Sequence, residues 1–302
     1  MRVLVTGATG FVGGWVVREL ESAGHMTIPA PPRAQLDLTD PPAVARYLDQ
    51  VQPEAAVHLA GVAYARDADR DPADALRVNE GGTRTLLETL ARSSPVPVIV
   101  AGSSEVYGHP DPGALPLAET ATLQPIGAYG RSKLAQERVA LRVAETTRQP
   151  VAITRSFNVT GPGQRAEFVA PALARRVLQA RRSGGSEIVV GNLDVRRDIG
   201  DVRDAARAFR LILEGLAGGW ITAGSIFNIA TGTSTAIRTV LDELCRIVGV
   251  AVAYRVDQAL VRQDDPLDIV GDASKLRQAT GWTPTRSLHQ TLTDLVSAIG
   301  DL

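Results

Sequence analysis

The chain has a single cysteine, Cys245, among its 302 residues. One thiol cannot form an internal disulfide or supply a cysteine-rich metal site, and no metal is expected. Its setting in LDELCRIVGV suits a small buried hydrophobe better than a nucleophile. No apolar run reaches the ~18 residues that a membrane-spanning helix needs. The N-terminal MRVLVTGATG passes straight from an apolar triplet into a glycine turn, without the apolar stretch of a secretory leader. These features point to a reducing cytoplasm. An excess of one charge is also missing, with 32 basic against 33 acidic residues. That argues against a nucleic-acid or anionic-membrane partner. The densest basic run, Arg175, Arg176, Arg181 and Arg182, reads as a solvated helix face, with a phosphate site as the alternative.

What is present is enough apolar material, 44% of residues, for one large domain or two unequal lobes. No internal repeat interrupts it. Short apolar runs (VLV, AAVHLA, VIV) alternate with longer amphipathic stretches. Strands are expected at 3–5, 26–29, 56–59, 96–101 and 151–155, and helices at 12–22, 42–50, 72–93 and 128–148. This β-α-β alternation predicts an α/β fold of Rossmann type, with a doubly wound parallel sheet covered on both faces. From about residue 160 the elements shorten and turn clusters such as GPGQ and RRSGGSE appear. A helix is expected after IFNIA, capped by Ser234 or Thr235 and stopped by Gly249. The division is therefore a dinucleotide-binding domain over 1–160, to which later segments can return, and a smaller mixed lobe over 161–302. A lobe laid over the carboxyl ends of the strands would close a substrate cleft.

The stretch VLVTGATGFVGGWVV places Gly7, Gly10 and Gly13 after a strand and at the opening of a helix. In that context the turn lets backbone N–H groups at the helix start, Phe11 and Val12, approach a pyrophosphate, where the helix dipole favours the anion. An enzyme that prefers NAD usually carries an acid at the end of the second strand, for the ribose 2′-OH. Here that end reads TIPAPPRAQ, with no acid. Arg33 could pair with a 2′-phosphate, which leans the reading to NADP over NAD; an ordinary solvent-exposed loop arginine is the alternative.

Downstream, AGSSEVYG is followed by AYGRSKLAQER, so that Ser103, Tyr129 and Lys133 occur in order, the last two four residues apart. With the three-and-three glycine spacing, this set resembles the short-chain dehydrogenase/reductase superfamily. The resemblance covers nearly the whole chain and is to its extended branch, the NAD-dependent epimerase/dehydratase family, which acts on nucleotide sugars. It implies cofactor contacts from Asp37 and Leu38 in LDLTD and from Leu59, Ala60 and Gly61 in AAVHLAG, with Asn79 steadying the site. It also implies that Ser103, Tyr129 and Lys133 are catalytic. A free phenol has a pKa of about 10. An ammonium one helical turn away is expected to lower it, so that Tyr129 can exchange a proton as hydride moves. Lys133 would also hold the nicotinamide ribose.

RSFNVTGPGQ, AEFVAPALARRV, GNLDVRRDIGDVRD and VRQDDPLDIVGDASKL carry the resemblance into the second lobe. They imply substrate contacts from Asn158, Phe168, Val169, Arg197, Arg262 and Asp265, with Ser104 beside Ser103. Among family members the chain looks most like GDP-6-deoxy-4-keto-D-mannose reductases, which form GDP-rhamnose. The substrate expected is a GDP-linked sugar reduced at C4 with hydride from NAD(P)H. Glu105 stands where related dehydratases carry the glutamate that removes a C5 proton. A GDP-mannose 4,6-dehydratase or another nucleotide-sugar epimerase or dehydratase is therefore the alternative. A non-catalytic dinucleotide sensor is disfavoured by the Tyr–Lys pair. The resemblance further implies a homodimer, built as a four-helix bundle from the helices near 72–93 and 128–148.

Overall fold

The computed structural model describes residues 1–93, 95–261 and 265–300. Five strands and their crossovers come first: β1 (Arg2–Thr6), α1 (Phe11–Ser22), β2 (Met26–Pro29), α2 (Pro41–Val51), β3 (Ala55–His58), α3 (Ala65–Arg70), α4 (Pro72–Leu76), α5 (Thr83–Ser93), β4 (Val98–Ser103), α6 (Gly127–Thr147) and β5 (Val151–Ser156). The later chain supplies β6 (Asn158–Thr160), α7 (Val169–Ser183), β7 (Glu187–Val190), β8 (Arg196–Asp201), α8 (Val202–Ala217), β9 (Ile226–Ile229), β10 (Ser234–Ala236), α9 (Ile237–Val248), β11 (Ala253–Val256), β12 (Asp268–Ile269), α10 (Ser274–Thr280) and α11 (Leu288–Ile299).

A parallel sheet of six strands runs in the order β2-β1-β3-β4-β5-β9. Its residues point alternately to two cores. Val3 and Val5 of β1 pack with Val16 and Leu20 of α1 and Phe209 and Ile212 of α8. Leu4 faces the other way, with Leu48 of α2, Leu86 and Leu90 of α5 and Val143 of α6. Both faces are dry, which is why these strands read as unbroken apolar runs. The chain leaves β1 toward β2 and returns to β3 on the opposite side, so the sheet has a switch point beside β1, where such folds bind ligands.

The second lobe joins β10-β8-β12 and β6 in one small sheet and β11-β7 in another. Its separate core includes Leu173 and Val177 of α7, Val240 and Leu244 of α9 and Leu292 of α11. Residues 226–229 return from this half of the chain to the large sheet, as the partner of β5.

Two expected elements differ. The helix expected over 72–93 is not uniform: α4 and α5 are joined by a π-helical turn, Arg77–Gly82. Such turns widen the helix locally and occur frequently at functional sites. Here it carries Asn79. Ser234 and Thr235 do not cap α9. They pair with Asp198 and Arg197 of β8 as a strand, and the helix begins after Ala236 without a side-chain cap. Sheet pairing claimed the residues that a local reading assigns to the cap. Gly249 does end that helix, in the left-handed conformation.

Leu134, Val139 and Val143 of α6 are buried against the chain's own core. The exposed positions of α6 include Arg131, Arg138, Arg142 and Glu145. Cys245 is partly buried, and burial pushes its thiol up from the ordinary value. Among the described residues no helix is long and apolar enough to cross a membrane.

Candidate active site

A cleft of about 1080 Å³ opens at the carboxyl ends of β1, β3, β4 and β5 and continues beneath α7. It begins at the glycine turn. Gly7 has φ of +70°, and a Cβ there would lie 2.7 Å from the Ala60 amide nitrogen. A Cβ on Gly13 would lie 2.0 Å from the Gly7 carbonyl oxygen. Both hydrogens are thus required for α1 to sit this close to β1 and β3. Gly10 precedes α1, and no side chain caps the helix. The first-turn amides of a helix have no intrahelical partner. With Phe11 and Val12 lining the cleft, this end of α1 fits a pyrophosphate.

Leu59, Ala60 and Gly61, which follow β3, also line the cleft. Asn79 anchors the next residue. Its side chain accepts from the Val62 amide at 2.8 Å and donates to the Val62 carbonyl at 3.1 Å and to Ser132 Oγ at 2.9 Å. The π-helical turn thereby ties this loop to α6.

At the adenosine end expected from the resemblance, Arg33, Asp37 and Leu38 line the cleft. Arg33 is not a free loop arginine. Its guanidinium closes on Asp74 through two bonds of 3.0 and 2.9 Å. Arg77 reaches the same carboxylate at 2.6 Å and Asp37 at 3.5 Å. Asp37 also accepts from the amide and hydroxyl of Thr39. The two guanidiniums pull Asp74 down to about 2. Neither Asp74 nor Arg77 is legible from the end of β2, because they come from a helix about forty residues later.

Ser103 ends β4, and Tyr129 and Lys133 lie in the first two turns of α6. The Ser103 hydroxyl is hydrogen-bonded to the Tyr129 phenol and accepts from the Glu105 amide at 3.2 Å. Ser104 is buried and Glu105 exposed, and both line the cleft. Lys133 is buried, and its ammonium donates to the Ala101 carbonyl at 2.9 Å and to Gln136 Oε1 at 2.8 Å. The expectation that this ammonium lowers the phenol is overturned. Burial pushes Tyr129 up to about 12; the Ser103 bond opposes the rise and the Glu105 charge adds to it. Burial lowers Lys133 to about 8. Sequence spacing puts the two groups one turn apart but says nothing of desolvation, which dominates both. Desolvation thus favours the neutral phenol over the phenolate.

The far wall comes from the second lobe. Asn158, Phe168, Val169, Arg197 and Asp265 line the same cleft. Arg197 is held by Asp265 at 2.5 Å and by the carbonyls of Pro266 and Arg196. The carboxylate of Asp265 is thus engaged with the arginine. Arg262 lies outside the described residues. Among the described residues no cluster of His, Cys, Asp or Glu could hold a metal ion.

The sequence alone does not single out Tyr64 and Arg165 as cleft residues. Tyr64, after β3, stacks against Phe168 with ring centroids 5.3 Å apart, and the Arg165 guanidinium lies 5.5 Å from the Tyr64 ring. Arg176 also lines the cleft, which corrects its reading as part of a solvated face; Arg175, Arg181 and Arg182 are exposed. A signal for it existed. Val169, Leu173 and Arg176 follow the i, i+4, i+7 spacing of one helical face, and all three line the cleft.

Comparison with known proteins agrees with this geometry. The profile of the "NAD dependent epimerase/dehydratase family" matches residues 3–230. A GDP-6-deoxy-D-mannose reductase from Pseudomonas aeruginosa is 33% identical, over 98% of this chain and 96% of its own. A GDP-6-deoxy-D-talose 4-dehydrogenase from Aggregatibacter actinomycetemcomitans is 28% identical, over 93% and 92%. The solved structure of RMD from Pseudomonas aeruginosa complexed with NADPH superposes with a TM-score of 0.88, at 33% identity and covering 98% of each chain.

Proposed function

Because the chain belongs to the NAD dependent epimerase/dehydratase family, and is an NAD(P)-dependent oxidoreductase related to GDP-6-deoxymannose reductases, we propose that it reduces the C4 ketone of a GDP-linked 4-keto-6-deoxy sugar. The product would be GDP-D-rhamnose. The observation that carries this reading is the placement of Tyr129, hydrogen-bonded to Ser103, within the same cleft as the glycine turn. A reductase needs a proton donor at the new alkoxide, and a neutral phenol supplies one.

The dinucleotide, when bound, supplies the hydride. The amides of Phe11 and Val12 bind its pyrophosphate. Ala60 and Gly61 bound its path along β3. Lys133 holds the nicotinamide ribose with the ammonium N–H not directed to Ala101 and Gln136. Ser103 donates to the ketone oxygen and polarises it. Tyr129 then transfers its proton to that oxygen, leaving an alcohol at C4 and a phenolate that Lys133 and water reprotonate. Arg197, set in place by Asp265, binds a phosphate of the substrate, and a guanidinium suits that task because it makes paired bonds to phosphate oxygens. Phe168 and Val169 pack against the nucleoside, and Asn158 and Ser104 bond the sugar. We assign NADP(H) as the preferred dinucleotide, on the strength of two guanidiniums, Arg33 and Arg77, at the adenosine end. We also carry a homodimer, formed through α5 and α6, as part of this reading; light scattering tests it.

The test is turnover of GDP-4-keto-6-deoxymannose with each reduced nicotinamide, with identification of the sugar. Rapid oxidation with a single C4 alcohol supports the reductase. No oxidation, but release of a 4-keto-6-deoxy sugar from GDP-mannose, would replace it with a dehydratase. Glu105, lining the cleft next to Ser104, favours that second reading.

A further inference from the structure

A line of buried polar side chains runs from Lys133 away from the cleft. Gln136 accepts from the ammonium at 2.8 Å and donates through Nε2 to Thr83 Oγ1 at 2.9 Å. Thr83 Oγ1 lies 2.8 Å from His58 Nε2, and His58 Nδ1 lies 2.7 Å from Thr6 Oγ1. Thr6 in turn accepts from the Ala60 amide at 3.2 Å, beside the glycine turn. The line thus crosses from α6, through the start of α5, to β3 and β1. Its members are closed to water: Thr6, His58, Thr83 and Gln136 are each 1% exposed or less, and Lys133 5%.

The donor inventory fixes its polarity at the Lys133 end. An ammonium only donates, so Gln136 must present Oε1 to it and must turn Nε2 to Thr83. Thr83 supplies the acceptor that holds the amide in that orientation. His58, kept neutral by burial and by the Lys133 charge, has one N–H and one lone pair, which match the two hydroxyls beside it. Gln136 and the Ala101 carbonyl then take two of the three ammonium hydrogens. The third is left for the cleft.

We propose that Gln136, held by Thr83 and His58, is a positioning residue that keeps the Lys133 ammonium charged and aimed at the cleft. The proposal rests on the catalytic and ribose-binding reading of Lys133, and its test is chosen to separate the two. Lys133 and Lys275 are the only lysines of the chain. Lysine labelled with carbon-13 at Cε therefore gives two signals, one from the exposed Lys275. The ionisable groups nearest Lys133 are Tyr129 and Glu137, one turn to either side of it on α6, the latter held by Arg155 of β5, and His58 of β3, which its charge reaches; Glu105, after β4, acts on Tyr129.

In the native protein the Lys133 signal should titrate with a midpoint near 8, below the ordinary lysine value of 10.5. Gln136→Leu removes an acceptor without adding bulk and should lower that midpoint by about one pH unit. Gln136→Glu offers a carboxylate and should raise it by at least as much. The alkaline limit of dinucleotide affinity should move in the same two directions. A purely structural role for Gln136 would not shift the two variants oppositely. Shifts of one sign, or none, overturn the proposal, as does a native midpoint near 10.5. Thr83→Val, which frees the Gln136 amide, should shift the midpoint in the same direction as Gln136→Leu; no shift would overturn the role of the longer line. Opposite midpoint shifts with unchanged dinucleotide affinity would support the positioning and reject the role assigned to Lys133.

Discussion

Acid should weaken this protein through the buried His58. The imidazole is buried, and burial with the nearby Lys133 charge lowers it to about 3 from an ordinary 6.5. In the unfolded chain it binds a proton below pH 6.5, whereas in the folded chain it does not until about 3. Between those values the unfolded state holds one more proton, so stability falls as pH falls, by about 1.4 kcal/mol per pH unit. Above pH 6.5 the contribution is complete. Lowering the pH from 7 to 5 should therefore remove about 2 kcal/mol through this residue alone. His58→Gln keeps a polar group between Thr6 and Thr83 but cannot titrate. Urea unfolding at pH 7, 6 and 5 should show a loss about 2 kcal/mol smaller in the variant than in the parent. Imidazole resonances of the parent give an independent reading, since the His58 ring should stay neutral at pH 5. Equal pH slopes in the two proteins, or a His58 resonance that titrates above pH 5, would refute the reasoning.

Tyr129→Phe should reduce turnover by about 10²- to 10⁴-fold, the usual worth of a placed acid, while dinucleotide titration shows binding retained. Survival of turnover would remove Tyr129 as the donor. Asp74→Asn frees the forks of Arg33 and Arg77 and leaves the adenosine rim more positive, so the NADPH-to-NADH affinity ratio should rise by about tenfold; a fall would mean that the carboxylate orients the arginines productively. Glu137→Gln breaks a buried pair in which Arg155 donates at 3.0 and 2.6 Å, and should cost about 3 kcal/mol in urea unfolding, even though Arg155 keeps its bonds to Tyr107 and Glu119.

Much of this molecule is legible in its sequence, for identifiable reasons. Gly7, Gly10 and Gly13 mark a turn whose requirement is local, so their spacing beside an apolar strand was enough. The runs VLV and VIV are buried on both faces, and that burial is written in their composition. Tyr129 and Lys133 share a helix, which fixes their separation at one turn. Arg176 was legible in principle, through its helical spacing from Val169, but its charge drew it into a surface reading.

The features that only the tertiary structure decided share a different character. The ion cluster of Arg33 with Asp74 and Arg77 joins segments about forty residues apart, and Ser234 became a strand because β8 lay beside it. Neither partner is visible within a local window. The π-helical turn at Asn79 places that side chain against the backbone of Val62, a contact set by the loop after β3. The ionisation of Tyr129 also went the other way from the sequence expectation, because desolvation outweighs a neighbouring charge that is directed elsewhere. By itself the sequence determined the parallel sheet, the glycine turn and the order of Ser103, Tyr129 and Lys133, all products of short-range spacing and apolar pattern. The folded chain decided which charges meet, which groups lose water and hence which way the proton at Tyr129 is held, because solvation and long-range pairing exist only once distant segments are packed together.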